Sequence, residues 1–105
     1  MPNTNVSPPR KPAQVTVTSA AQSLQTLLGD AAPYPNIAGI QIQSLSGNAG
    51  SAFWGLDATA TDSANSSEIP AGTAQVIPPA LAPTTAQIYL IASGNETVCV
   101  VFLGG

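Results

Sequence analysis

The apolar runs of this chain are short, and a cluster of proline, glycine, asparagine or serine cuts each of them off within roughly 8–12 residues. No helix-period pattern lasts longer than the brief Leu24, Leu27, Leu28 series, whereas period-two alternation recurs along the chain. That punctuation leaves little room for any architecture except short antiparallel strands. The expected fold is therefore all-β: a small antiparallel β-sandwich or jelly-roll-like barrel with one short helical turn. With 105 residues the chain suffices for one modest core and not for two.

Residues 1–13 stand apart. They hold Pro2, Pro8, Pro9 and Pro12 and almost nothing able to enter a core. Proline removes backbone donors and biases the residue before it toward extended conformations, so an extended N-terminal arm is expected, followed by a β domain over 14–105. Gln14–Thr18 alternates as a first strand does. Ser19 is expected to cap a helical turn over 20–28, stopped by Gly29, with its leucines plugging one end of the core. Ile40 and Ile42 alternate with Gln41 and Gln43 in a half-buried strand. Residues 46–50 then form an expected hairpin turn into a strand at 51–55. A polar excursion follows over 57–67, with a weak edge strand near 58–61, and a further strand at 74–77 ends at Pro78-Pro79.

The most regular stretch is the last. Gln87–Ala92 and Thr97–Leu103 flank the turn Ser93-Gly94-Asn95-Glu96 and read as a central β-hairpin. Both strands are apolar on both faces, with Val98, Val100 and Phe102 on one side and Cys99, Val101 and Leu103 on the other. A strand wet on one face needs only one apolar side, so a second covering layer is expected, either the leucine turn or another subunit.

Little chemistry is available. The chain has no histidine, which removes the commonest general base and transition-metal ligand. The one cysteine, Cys99, cannot form an internal disulfide and is expected to be buried as a small hydrophobe. Asp57, Asp62 and Glu68, with Asn65 among them, share one polar loop, but their spacing matches no calcium loop and turn formation explains them more simply. Asp30 and Glu96 are expected to be solvated. Asn95-Glu96-Thr97 fits the glycosylation sequon without a secretory signal beside it. Catalysis is not expected, and neither a cofactor nor a metal.

Charged residues make up 7% of the chain, against roughly 25% in typical domains, and the net charge is −3. The two basic residues, Arg10 and Lys11, both lie in the arm. Nucleic-acid binding, which needs clustered Lys and Arg, is not expected, and no run is long enough to span a membrane. Neutral exteriors carry little like-charge repulsion and so suit packing against other proteins. Among the aromatics, Phe53 and Trp54 are adjacent on a strand and must face opposite ways. Trp54 is thus either an outward interface anchor or sugar platform, or a core residue with Phe53 covered by the 57–67 loop.

The Val15–Leu24 opening, the Ile69-Pro70-Ala71-Gly72-Thr73 turn and the Ile88–Ala92 to Val98–Phe102 ending resemble small virion proteins of tailed bacteriophages, of the capsid decoration or cement type. The resemblance implies a dimer or trimer, made in the host cytoplasm, that sits on the outside of the capsid and clamps major capsid subunits. Pro8, Pro9, Arg10, Lys11 and Pro12 would then reach a neighbouring subunit, with Arg10 and Lys11 docking on acidic capsid residues. Trp54, Tyr89, Val101 and Leu103 would supply further contacts, the last strands burying one face against another copy. Two other readings stand beside it: a tail or head-fibre component, and a carbohydrate-binding β-sandwich using Trp54 or Tyr34.

Overall fold

In the computed structural model of the chain, residues 10–104 are described. Pro8 and Pro9, with the rest of the arm up to residue 9, lie outside them. Eight strands form two antiparallel four-stranded sheets. Sheet I holds β1 (Ala13–Val17), β8 (Glu96–Phe102), β3 (Ile40–Ser44) and β6 (Ala74–Ile77), in that order. Sheet II holds β2 (Gln22–Ser23), β7 (Tyr89–Ala92), β4 (Ala52–Gly55) and β5 (Ser67–Ile69), in that order.

The pairings have a simple logic. β1 pairs with β8, β2 with β7, β3 with β6 and β4 with β5. The chain is thus one long two-stranded ribbon, bent back at the β4–β5 loop. Two further ladders, β3 with β8 and β4 with β7, join successive lengths of that ribbon edge to edge. Among the described strands the chain changes sheet at every connection except β4 to β5.

This winding overturns the two expected hairpins. The 93–95 turn does not join β7 to β8 in a ladder; it carries the chain from sheet II to sheet I. The 46–50 turn likewise leads from β3 in sheet I to β4 in sheet II. Asn48 explains why that turn stays with sheet I. Its Nδ2 donates to the Thr97 carbonyl at 2.9 Å and its Oδ1 accepts from the Thr97 amide at 3.0 Å, so the side chain acts as a surrogate strand partner for β8. Both late strands are nevertheless central in their sheets, as expected.

One apolar cluster draws on both sheets. Val15, Ile40, Ile42, Ile77, Val98 and Val100 come from sheet I, and Ala52, Ile69, Leu90 and Ala92 from sheet II. Period-two alternation produces this directly, since β8 buries Val98, Val100 and Phe102 while Cys99 and Val101 stay half-buried on the outer side. Cys99 is therefore not the buried thiol expected. The helix is shorter than expected, α1 (Leu24–Leu28), capped by Ser23, whose Oγ accepts from the Thr26 amide at 3.2 Å. Gln22 and Ser23 pair with β7 instead, which is why the helix cannot begin at Ser19. Gly29 ends it with φ 74°, and Leu24 is fully buried with Leu27 and Leu28 packed against the cluster. No strand forms at 58–61; β5 supplies the edge of sheet II beside β4.

Candidate interaction surfaces

The arm's root is fastened to the domain. Arg10 reaches Asp30 with both terminal guanidinium nitrogens, at 2.6 and 3.0 Å, a bidentate charge-assisted pair. The same guanidinium lies 4.8 Å from the Tyr34 ring centre and 5.0 Å from that of Phe102, which themselves meet edge to face at 4.9 Å. Tyr34 is placed by its own backbone, whose amide donates to Thr85 Oγ1 at 3.0 Å while its carbonyl accepts from the Thr85 amide at 3.0 Å. The hydrogen bond to Asp30 raises the Arg10 pKa above its ordinary value. Asp30 is therefore not the solvated turn residue expected. Arg10's charge is spent inside the molecule, while Lys11 and Pro12 beside it are exposed.

Sheet I presents an outer face built by the alternate residues of its four strands. Gln14 and Thr16 come from β1, Thr97, Cys99 and Val101 from β8, Gln41 and Gln43 from β3, and Ala74 and Val76 from β6. None is charged. Register aligns Gln14, Cys99, Gln43 and Ala74 in one row across the sheet, and Val101, Gln41 and Val76 in the next. Val76 is 48% exposed, and it and Leu103 close together over Gly39. Ile37, exposed by 58%, lies against Gly104 at the same end of the face.

Trp54 lies between the two alternatives weighed for it. It is half-buried against the core cluster, and its Nε1 donates to Gln75 Oε1 at 2.7 Å. Gln75 sits on β6 and Trp54 on β4, so this bond spans the gap between the sheets where their edges meet. The Gln75 amide also donates to the Glu68 carbonyl at 2.6 Å and its Oε1 accepts from Ser67 at 3.3 Å. Phe53 faces the other way and pairs with Ile91, which is 6% exposed. A depression of about 340 Å³ opens beside Trp54, lined by Leu56, Asp57, Thr59, Asn65 and Ser66. Its polar groups hold one another: Asp57 accepts from the Thr59 amide at 2.9 Å and from its hydroxyl, and Asn65 donates to Thr59. Those two bonds lower the Asp57 pKa below the ordinary carboxylate value. Glu68 accepts from Ser51 at 2.6 Å. Among the described residues no three of Asp, Glu, Cys and His gather as a metal site.

Tyr89 is half-buried on the outer side of sheet II, the opposite face from Val101. The residues expected as contacts thus divide in space: Arg10, Val101 and Leu103 lie toward sheet I, Trp54 at the seam between sheets, and Tyr89 behind. Glu96, expected in a solvated turn, opens β8 with 7% exposure against Gly50. The remaining acids, Asp57, Asp62 and Glu68, occupy the β4–β5 loop and β5 on the side of sheet II. No local signal in the sequence links Arg10 to Asp30 or Trp54 to Gln75, since both pairs meet only once the ribbon is wound.

No helix among the described residues is long and apolar enough to cross a membrane. Comparison with protein-family models, with curated proteins and with solved structures returned no match for this chain.

Proposed function

We propose that the chain is a non-enzymatic structural protein of the virion, a decoration or cement protein that binds the outside of a tailed-phage head and bridges its major capsid subunits. The observation that carries this reading is the charge-free outer face of sheet I beside an arm whose root is clasped by Arg10. A neutral face loses little solvation when another protein covers it. A root fixed at Arg10 holds Lys11 and Pro12 at one defined place beside that face, which lowers the ordering cost of a contact made there. With Arg10 committed to Asp30, Lys11 and the prolines are the arm's contact groups.

The fold supports the same reading. We read the ribbon of four antiparallel pairs in two sheets as the winding of a jelly-roll sandwich, an architecture used by viral capsid and lectin domains. The fold alone does not choose between those uses, because one fold hosts many functions. The lectin use finds less support: the Trp54 N–H is engaged by Gln75, and the Tyr34 ring is covered by Arg10.

The test is sedimentation of the purified protein with heads of the phage that encodes it, stripped of this protein. Saturable binding at many copies per shell is expected. A variant lacking residues 1–9 keeps the Arg10 clasp and should stay folded while binding at least ~10-fold more weakly. Equal binding by that variant removes the arm from the proposal. Failure of the full chain to sediment with heads removes the cement role, and a few copies confined to tails would make it a tail or fibre component.

A further inference from the structure

We infer that the Glu96 carboxylate is the socket for a lysine ammonium of the protein this chain binds, an assignment that rests on the cement reading above only for placing that lysine on the capsid subunit.

Glu96 is covered in a way its residue type rarely is. A carboxylate that leaves water needs a compensating charge or donors, so buried acids are normally paired. Glu96 is 7% exposed, yet among the described residues its carboxylate accepts no hydrogen bond and meets no cation. The winding of the chain puts it there. Alternation along β8 turns Glu96 inward with Val98, Val100 and Phe102, at an end of the strand where the ladder with β3 has already stopped at Val98. The 46–50 turn closes over that end. Asn48 ties the turn to Thr97, and the Gly50 backbone comes so near that a Cβ there would stand 3.2 Å from Glu96 Oε2.

The chain has no cation of its own for this carboxylate. Arg10 and Lys11 are its only basic residues. Arg10 is held by Asp30 against Phe102, at the opposite end of β8 and about 20 Å from Glu96 at the rise of a strand. Lys11 precedes β1, whose first residue pairs with Val100, whereas the last, Val17, stands opposite Glu96. The compensating charge therefore comes from outside the chain.

The opening selects the form of that charge. The turns flanking Glu96, at 46–50 and 93–95, carry glycine at positions 47, 50 and 94, and a Cβ at Gly47 or Gly94 would meet nothing within 4 Å. Small residues thus leave a narrow approach to a single carboxylate. A lysine ammonium, a point charge on a slim stem, suits it better than the planar arginine fork. A hard metal ion takes six or so oxygens, and no three of Asp, Glu, Cys and His gather among the described residues. The socket also adds what the outer face of sheet I lacks. A neutral face fixes no orientation on its partner, and one charge at the end of the sandwich does.

The first test needs no heads. n-Butylammonium chloride, equivalent to a lysine side chain, is titrated into the full chain with ionic strength held by tetramethylammonium chloride. Saturable amide shifts are expected at Gly50, Asn95 and Thr97, and they should vanish in Glu96→Gln. Sodium chloride should not reproduce them. Glu96→Gln should also raise the urea midpoint, since it removes an uncompensated charge. The second test sediments the variant with heads. Glu96→Gln should bind at least ~10-fold more weakly, whereas Asp62→Asn, which removes the same charge from an exposed position, should bind as the unaltered chain does. Shifts that persist in Glu96→Gln or never saturate, shifts that sodium reproduces, a urea midpoint that does not rise, or full binding of Glu96→Gln to heads each overturn the inference. Failure of the unaltered chain to sediment with heads removes the cement role instead, and the butylammonium titration still decides the socket.

Discussion

Arg10 is held by three partners of different kinds, a carboxylate and two ring faces, and its planar guanidinium serves all three at once. Lysine would keep the charge and lose the fork and the stacking. Arg10→Ala should therefore lower stability by about 1–2 kcal/mol, and Arg10→Lys should recover less than half of that, as read by thermal or urea unfolding. Asp57 makes a prediction of opposite character. Its carboxylate is stabilised in the charged form by Thr59, so its contribution to the loop is fully present above the ordinary Asp pKa of about 3.9 and is lost only as pH falls through a lower, native value. The Thr59 amide resonance should titrate with a midpoint below about 3.9; a midpoint at or above it would show that the bond does not form in solution. Gly55 is needed for space. A Cβ there would lie 2.6 Å from both Ala60 Cβ and the Asn65 carbonyl, so Gly55→Ala must push the 57–66 loop away, at a cost of about 1–3 kcal/mol.

Between elements, the seam where β5 and β6 meet depends on one side chain. Gln75 satisfies the Trp54 N–H and the Glu68 carbonyl together, and Gln75→Leu strands both. The expected loss is about 1–3 kcal/mol, with a red shift of the emission of Trp54, the chain's sole tryptophan, as water reaches the indole. An unchanged spectrum and stability would mean the seam is closed by packing alone. The strands themselves were legible from alternation: β1, β3, β6, β7 and β8 stand close to where Val15, Ile40, Val76, Leu90 and Val98 put them. Their partners were not legible. A glycine–asparagine turn such as 93–95 announces that the chain reverses, and a reversal serves equally to extend a ladder or to cross a core. What separates the two is whether both strands turn their apolar residues to the same layer from opposite sides, and that depends on residues far along the chain. Of the two layers expected over the doubly apolar β8, the leucine turn is not the one: Leu27 and Leu28 pack on the core cluster, and the outer positions Cys99 and Val101 stand beside Gln14, Gln43 and Gln41 of the neighbouring strands. The contact residues fared likewise, since Tyr89 and Val101 share a pattern in sequence and occupy opposite faces in space.

For the molecule as a whole, the ribbon winding means that almost every ladder joins distant parts of the chain. Closing β1 onto β8 requires nearly the full described length to be in place, so folding followed by Trp54 fluorescence should take milliseconds to seconds rather than microseconds. Because β1 and β8 are antiparallel neighbours, with Ala13 opposite Val100, the start of the domain and its last strand end side by side, while the bend of the ribbon at residues 57–66 lies at the opposite end of the chain's course. The described backbone is therefore nearly a closed loop. A chain joined from residue 104 back to residue 10 by a short flexible linker, with new ends opened in the exposed stretch around Ser63, retains every strand and every pairing in a different order of synthesis.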